Sequence, residues 1–205
     1  MLTAEKIKTN YLLYCDKLKK YQCYSDELMN NYGEAIMNAP FSTNEASGGA
    51  YQGGLIDITL NYLCKTAFLI NDSLGKASET EMLKCNPTML MRVLLLQHLA
   101  KAVFFVPTRD AWKIKKGLYY EFSQDIQSKL KLGQRTLYMC QMYNITLTED
   151  EYEAISSIDC TDADKGDAFQ TPLTALARSA NKLTEVALRQ KYLAENSATA
   201  STTEE

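Results

Sequence analysis

The stretch from Asn86 to about Phe105 constrains the fold more than any other part of the chain. Asn86-Pro87 has the residue types of a helix start, Asn as cap and Pro in the first turn. Behind it come Leu90, Met91, Val93, Leu94, Leu95 and Leu96, which leave little polar face before Pro107. A helix apolar on most sides has to be surrounded, so this one is predicted to be the central, most buried element. The 205 residues are enough for one domain with a sizeable core, and 46% apolar and 23% charged residues are ordinary for a soluble globular protein.

The elements around it also read as helices. Thr3 can cap a first helix with Ile7, Tyr11, Cys15 and Leu18 on one face. Ser25 opens a second, with Leu28, Tyr32 and Ile36 along its stripe, and Ala39-Pro40 ends it. Phe41–Gly54 reads as a glycine-rich loop, followed by a third helix from about Leu55 to Asn71. A fifth helix is expected near Gly133–Tyr143, and a sixth from the Thr148/Glu151 capping box to about Ile158. Asp159–Asp167 reads as an acidic loop. Thr171-Pro172 begins a last helix through about Ala194, with Leu173, Leu176, Ala180, Leu183 and Ala187 inward.

Trp112–Phe122 breaks the helical pattern: Trp-Lys-Ile-Lys alternates, Lys116-Gly117 can turn, and Leu-Tyr-Tyr-Glu-Phe is aromatic. It reads as a small β-hairpin. The expectation is an all-α bundle of six to eight helices with one small β-hairpin insertion at 108–125. A single domain spans 1–195, with 1–40 as an N-terminal helical pair, and residues 196–205 form a disordered tail.

Composition limits the chemistry. A net charge of −3 gives no footprint for nucleic acid or an anionic membrane, and the two short basic-aromatic patches, Lys17, Lys19 and Lys20 with Tyr21 and Tyr24 and Lys113, Lys115 and Lys116 with Trp112, Tyr119 and Tyr120, sit in an acidic chain. No apolar run approaches the ~20 residues of a membrane span. Met1–Leu18 lacks the apolar centre of a signal peptide, so a reducing cytoplasm is the expected compartment. The six cysteines lie far apart without zinc-finger spacing and suit core filling. There is one histidine, so a site that needs several imidazoles cannot be assembled.

Two segments carry a resemblance. Gly53-Gly54-Leu55-Ile56-Asp57-Ile58-Thr59-Leu60 is similar to G-G-L-x-x-H-T-L, and Leu95-Leu96-Gln97-His98-Leu99-Ala100-Lys101 to L-L-H-D-x-G-K. Both patterns are those of the HD-domain superfamily of metal-dependent phosphohydrolases, which the two segments resemble. The likeness extends over roughly residues 48–188. It takes in the Trp112–Gly117 hairpin, Leu132-Gly133-Gln134-Arg135-Thr136-Leu137-Tyr138, Leu147–Ile155 and the final helix around Ala175–Leu183. The resemblance places the family's metal ligands on Ile58, Gln97, His98, Leu132, Ile158 and Asn181. Isoleucine and leucine offer no lone pair, and neutral amides are weak ligands for a divalent cation. What the resemblance implies is a degenerate scaffold without metal, cofactor or hydrolytic activity.

That points to a non-catalytic structural or adaptor protein that binds other proteins in a larger assembly. A phage virion component is the specific form, since related hairpin-bearing domains are common in bacteria and their phages; a homo-oligomer is compatible with it. The 13 tyrosines suggest buried contact surface, with Trp112, Tyr119 and Tyr120 on the hairpin and Tyr21 and Tyr24 near the first two helices as interface candidates. Neither nucleic acid nor membrane is an expected partner. The competing expectation is a surviving phosphohydrolase or nucleotide-binding regulator using His98 with Asp57 or the acidic loop. A third is an antagonist of an active homologue.

Overall fold

The structure is a computed structural model describing residues 2–76, 78–126, 129–159 and 170–201. It is an all-α bundle with one small antiparallel pair of strands. Local capping chemistry sets several helix starts. Thr3 caps α1 (Ala4–Lys20) by accepting from the Lys6 amide, and Ser25 caps α2 (Asp26–Asn38) by accepting from Leu28. The loop that follows returns to α2 where the Gly53 amide donates to the Asn38 carbonyl, and within the loop the Phe41 amide donates to the Gly49 carbonyl. A Cβ on Gly54 would lie 2.2 Å from that same carbonyl oxygen, so only glycine lets α3 (Gly54–Ile58) start there.

The third predicted helix forms, but not as a regular α-helix. After α3 the backbone widens into a π-helical turn, Thr59–Leu63, before α4 (Cys64–Leu74). Asn86 caps α5 (Pro87–Leu96), accepting from Thr88 and Met89. Leu90, Met91 and Val93–Leu96 are all buried, and α5 packs against α1, α4, α9 and α10, the central position its composition requires.

The central helix does not run unbroken to Phe105. Gln97–Ala100 form turns, with bonds from Leu99 to Leu96 and from Lys101 to His98 in the tighter three-residue pattern; α6 (Lys101–Phe104) then resumes. The cause is Thr136. Its hydroxyl accepts from the Ala100 amide and donates to the Gln97 carbonyl, so a side chain from another helix occupies the ladder.

The expected hairpin is displaced. Strand β1 (Phe105–Pro107) pairs with β2 (Tyr120–Phe122), whereas α7 (Ala111–Lys115) is a helical turn that includes Trp112. The Trp-Lys-Ile-Lys alternation therefore marks no strand. With Thr108 and Asp110 leading in, the segment closes a helical turn, and the partner of β2 lies upstream of it.

Helices α8 (Leu132–Met142) and α9 (Glu149–Ser156) follow, the second with its capping box formed between Thr148 and Glu151. They approach closely at Gly133, where a Cβ would meet the Ile155 carbonyl oxygen at 2.3 Å. Arg92 ties this side together. Its guanidinium bonds Glu151 at 2.6 Å, the carbonyls of Tyr21 and Gln22, and that of Thr146.

The last helix, α10 (Pro172–Ser201), buries Leu173, Leu176 and Ala180 as expected, but then Thr184 and Leu188. Leu183 is 51% exposed and Ala187 is also exposed, correcting their inward assignment. A 3-4-3-4 spacing drifts around a straight helix by ~20° per heptad, and the contact stripe follows the true turn instead. The helix also continues across 196–201, the first part of the stretch expected to be disordered. Nothing in Asn-Ser-Ala-Thr-Ala breaks a helix, and the Asn196 and Ser197 side chains bond back to Tyr192 and Ala194 carbonyls. Residues 202–205 lie outside the described residues, as do 160–169, which include all of the expected acidic loop except Asp159.

Candidate functional site

Four of the six positions singled out by the resemblance line one hollow. A cavity of about 600 Å³ is lined by His98, Leu132, Ile158 and Asn181, together with Lys101 and Asp159. The close packing at Gly133 delivers Leu132 from α8 and Ile158 from just beyond α9 to the same wall. Gln97 and Ile58 are fully buried behind it. Ile58 packs with Phe41, whose ring stands edge-on to the His98 imidazole at 4.9 Å. Both backbone irregularities fall here: the π-turn begins directly after Ile58, and the tightened turn contains Gln97 and His98.

The polar members are joined to each other. Asn181 Nδ2 donates to the Ala177 carbonyl at 2.8 Å and to Gln97 Oε1 at 3.0 Å. Its Oδ1 is thus the acceptor facing His98 Nε2 at 2.8 Å, and the imidazole carries its proton on Nε2. Burial, with the nearby Lys101 charge, holds the ring well below its usual pKa, so His98 is neutral. Two buried atoms of these three residues, His98 Nδ1 and Gln97 Nε2, have no hydrogen-bond partner among the described residues.

These residues do not fit a catalytic divalent metal. Nε2 is committed to Asn181, three positions present aliphatic carbon, and the two amides face each other. Among the described residues, no group of three His, Cys, Asp or Glu side chains gathers at one point. Asp57 is held by Tyr51, Asn10 and Asn61 and does not line the cavity. Asp159 does, and accepts from the Gly133 amide at 2.7 Å.

Lys101 is the residue that sequence reasoning passed over. Only 9% of it is exposed, and its ammonium donates to the Phe41 carbonyl at 2.7 Å while sitting 3.5 Å from the centre of the Phe41 ring. Burial pushes its pKa down to about 7 against the opposing pull of Glu185 and Asp159. A lysine is ordinarily assigned to the surface. The sequence signal was its setting, between Leu99-Ala100 and Ala102-Val103-Phe104.

The interface candidates lie on different elements. Trp112 is exposed on α7 with Lys116 over its ring at 4.8 Å, whereas Tyr119 and Tyr120 are half-buried. Tyr21 and Tyr24 sit between α1 and α2, packed against the core and covered by Lys20 and Lys19. More exposed apolar area is found at Phe122, and at Tyr138, Met142 and Tyr152 around α8 and α9. Tyr138 and Met142 share a helix face one turn apart, off the buried stripe of Thr136, Leu137 and Cys140, which was a readable signal.

The fold and site define a helical bundle with a cavity walled by a linked amide–imidazole chain and a buried lysine. Comparison with protein-family models, curated proteins and solved structures finds no match to this chain.

Proposed function

We propose that the chain is a non-catalytic structural or adaptor protein, built on an HD-like scaffold that has lost its metal site, and that it works by binding other proteins. The observation that carries this reading is the Gln97–Asn181–His98 chain. Side chains at the positions where the family grips cations hydrogen-bond one another, and Ile58, Leu132 and Ile158 supply only packing. Exposed Trp112 and Phe122 by the β-pair support a protein-binding role, as do Tyr138 and Tyr152, which line a groove of about 770 Å³. No helix among the described residues is long and apolar enough to cross a membrane. A component of a virion or similar assembly is the specific form we favour.

The test is hydrolysis of phosphate mono- and diesters with manganese, nickel, iron or zinc supplied. The reading expects no turnover above background. Turnover that disappears in His98→Ala would overturn it. A second reading, a regulator that holds a phosphorylated ligand without cleaving it, draws on Lys101, Lys129 and Lys131 around the cavity. Salt-sensitive binding of a nucleotide by calorimetry, lost in Lys101→Met, would favour that reading instead.

A further inference from the structure

We propose that Lys101 is a nucleophilic amine that holds an apolar aldehyde in the central cavity as an imine. The geometry rests on three features. Lys101 is the one largely buried lysine among the described residues, yet it forms an ion pair with no carboxylate there. Its nitrogen is placed by a neutral carbonyl and an aromatic face, neither of which brings a formal negative charge to it. And Lys101, Phe105 and Glu185 are walls common to two hollows, of about 600 and 450 Å³, so the side chain is bounded by space on more than one side.

The chemistry of the walls selects the ligand. Phe104, Phe105, Phe122, Ile126 and Leu130 make one side of the larger cavity apolar, which suits an aromatic or branched aliphatic body. The charged groups facing Lys101 are Asp159 and Glu185, with Lys129 and Lys131 elsewhere in the larger cavity and Lys182 and Arg189 in the smaller. His98 contributes no charge. The lowered basicity described above leaves about half of the Lys101 amine unprotonated near neutrality, against roughly one part in 2,500 for an ordinary lysine.

The step balances without an oxidant or reductant. The nitrogen lone pair adds to the carbonyl carbon, forming a C–N bond and a carbinolamine. Solvent takes a proton from the nitrogen and returns one to the hydroxyl; the C–O bond breaks and the oxygen leaves as water. This inference is independent of the proposed protein-binding role.

The test uses the full chain with benzaldehyde and cyanoborohydride, which reduces any imine to a stable benzyl amine, followed by peptide mass mapping. At pH 7, labelling at Lys101 is expected to exceed that at any exposed lysine by at least ~100-fold and to saturate with benzaldehyde concentration. Ile158→Trp, which fills the cavity, should abolish benzyl labelling of Lys101 but leave its reductive methylation by formaldehyde. Labelling spread evenly over the exposed lysines, or Lys101 left unlabelled, would overturn the proposal. Benzyl labelling undiminished in Ile158→Trp that retains its far-UV circular dichroism would do the same.

Discussion

Replacing Asn181 by leucine should cost more than its half-buried position suggests. The substitution removes the acceptor of His98 Nε2–H and the donor to Gln97 Oε1, stranding two polar groups in residues 6% and 0% exposed. A stranded buried group costs about 1–3 kcal/mol, so the pair amounts to about 2–5 kcal/mol after the small gain from leucine burial. The Ala177 carbonyl loses a side-chain bond as well. For a chain of this size the loss corresponds to a fall in Tm of roughly 5–15 °C. Urea unfolding followed by far-UV circular dichroism measures it directly. The decisive companion is the triple variant Gln97→Met/His98→Phe/Asn181→Leu, which removes every partner together, including the two unpaired atoms. Apolar replacement of a whole network is nearly neutral, so the triple variant should lie within about 1.5 kcal/mol of the wild type. A single variant that loses under about 0.5 kcal/mol, or a triple variant less stable than the single one, would refute the idea of a mutually bonded polar chain.

Arg92→Met should be more damaging, by about 3–5 kcal/mol in the same assay, because it leaves the Glu151 carboxylate buried and unpaired; a loss under about 1 kcal/mol would mean the strut is dispensable. Lys101 gives a pH signature. Its folded pKa of about 7 lies below its unfolded value, so between those two points the unfolded chain binds more protons and stability rises with pH. The stability difference between wild type and Lys101→Met should therefore shift in favour of the wild type from pH 7 to pH 10, and equal slopes for the two proteins would contradict the assignment. Trp112→Ala touches an exposed side chain and should leave stability within about 0.5 kcal/mol while weakening any self-association seen by light scattering.

What was legible in the sequence was local. Thr3, Ser25, Asn86-Pro87 and the Thr148/Glu151 pair announce helix starts because cap and first turn are neighbours in the chain. The bulk of α5 was equally plain, since a segment without a polar face has only one place to go. The departures come from contacts that sequence spacing does not encode. The break at Gln97–Ala100 depends on a hydroxyl from α8 reaching the backbone, and the strand pairing joins Phe105 to Phe122 around an intervening helical turn. The site was partly readable. Assigning Gln97 and Asn181 to one pocket placed two amides within reach of each other, and they do bond. Lys101 was missed because a charge in an apolar run is assumed to reach solvent, and here the Phe41 carbonyl and ring take its place.

The most direct test is the metal content of the purified protein, measured by inductively coupled plasma mass spectrometry without chelators and again after equilibration with manganese, iron and zinc. A pocket whose imidazole and amides are spent on each other should retain only trace amounts, unchanged in His98→Gln. One tightly held ion per chain that vanishes in that variant would mean the cavity still grips a cation.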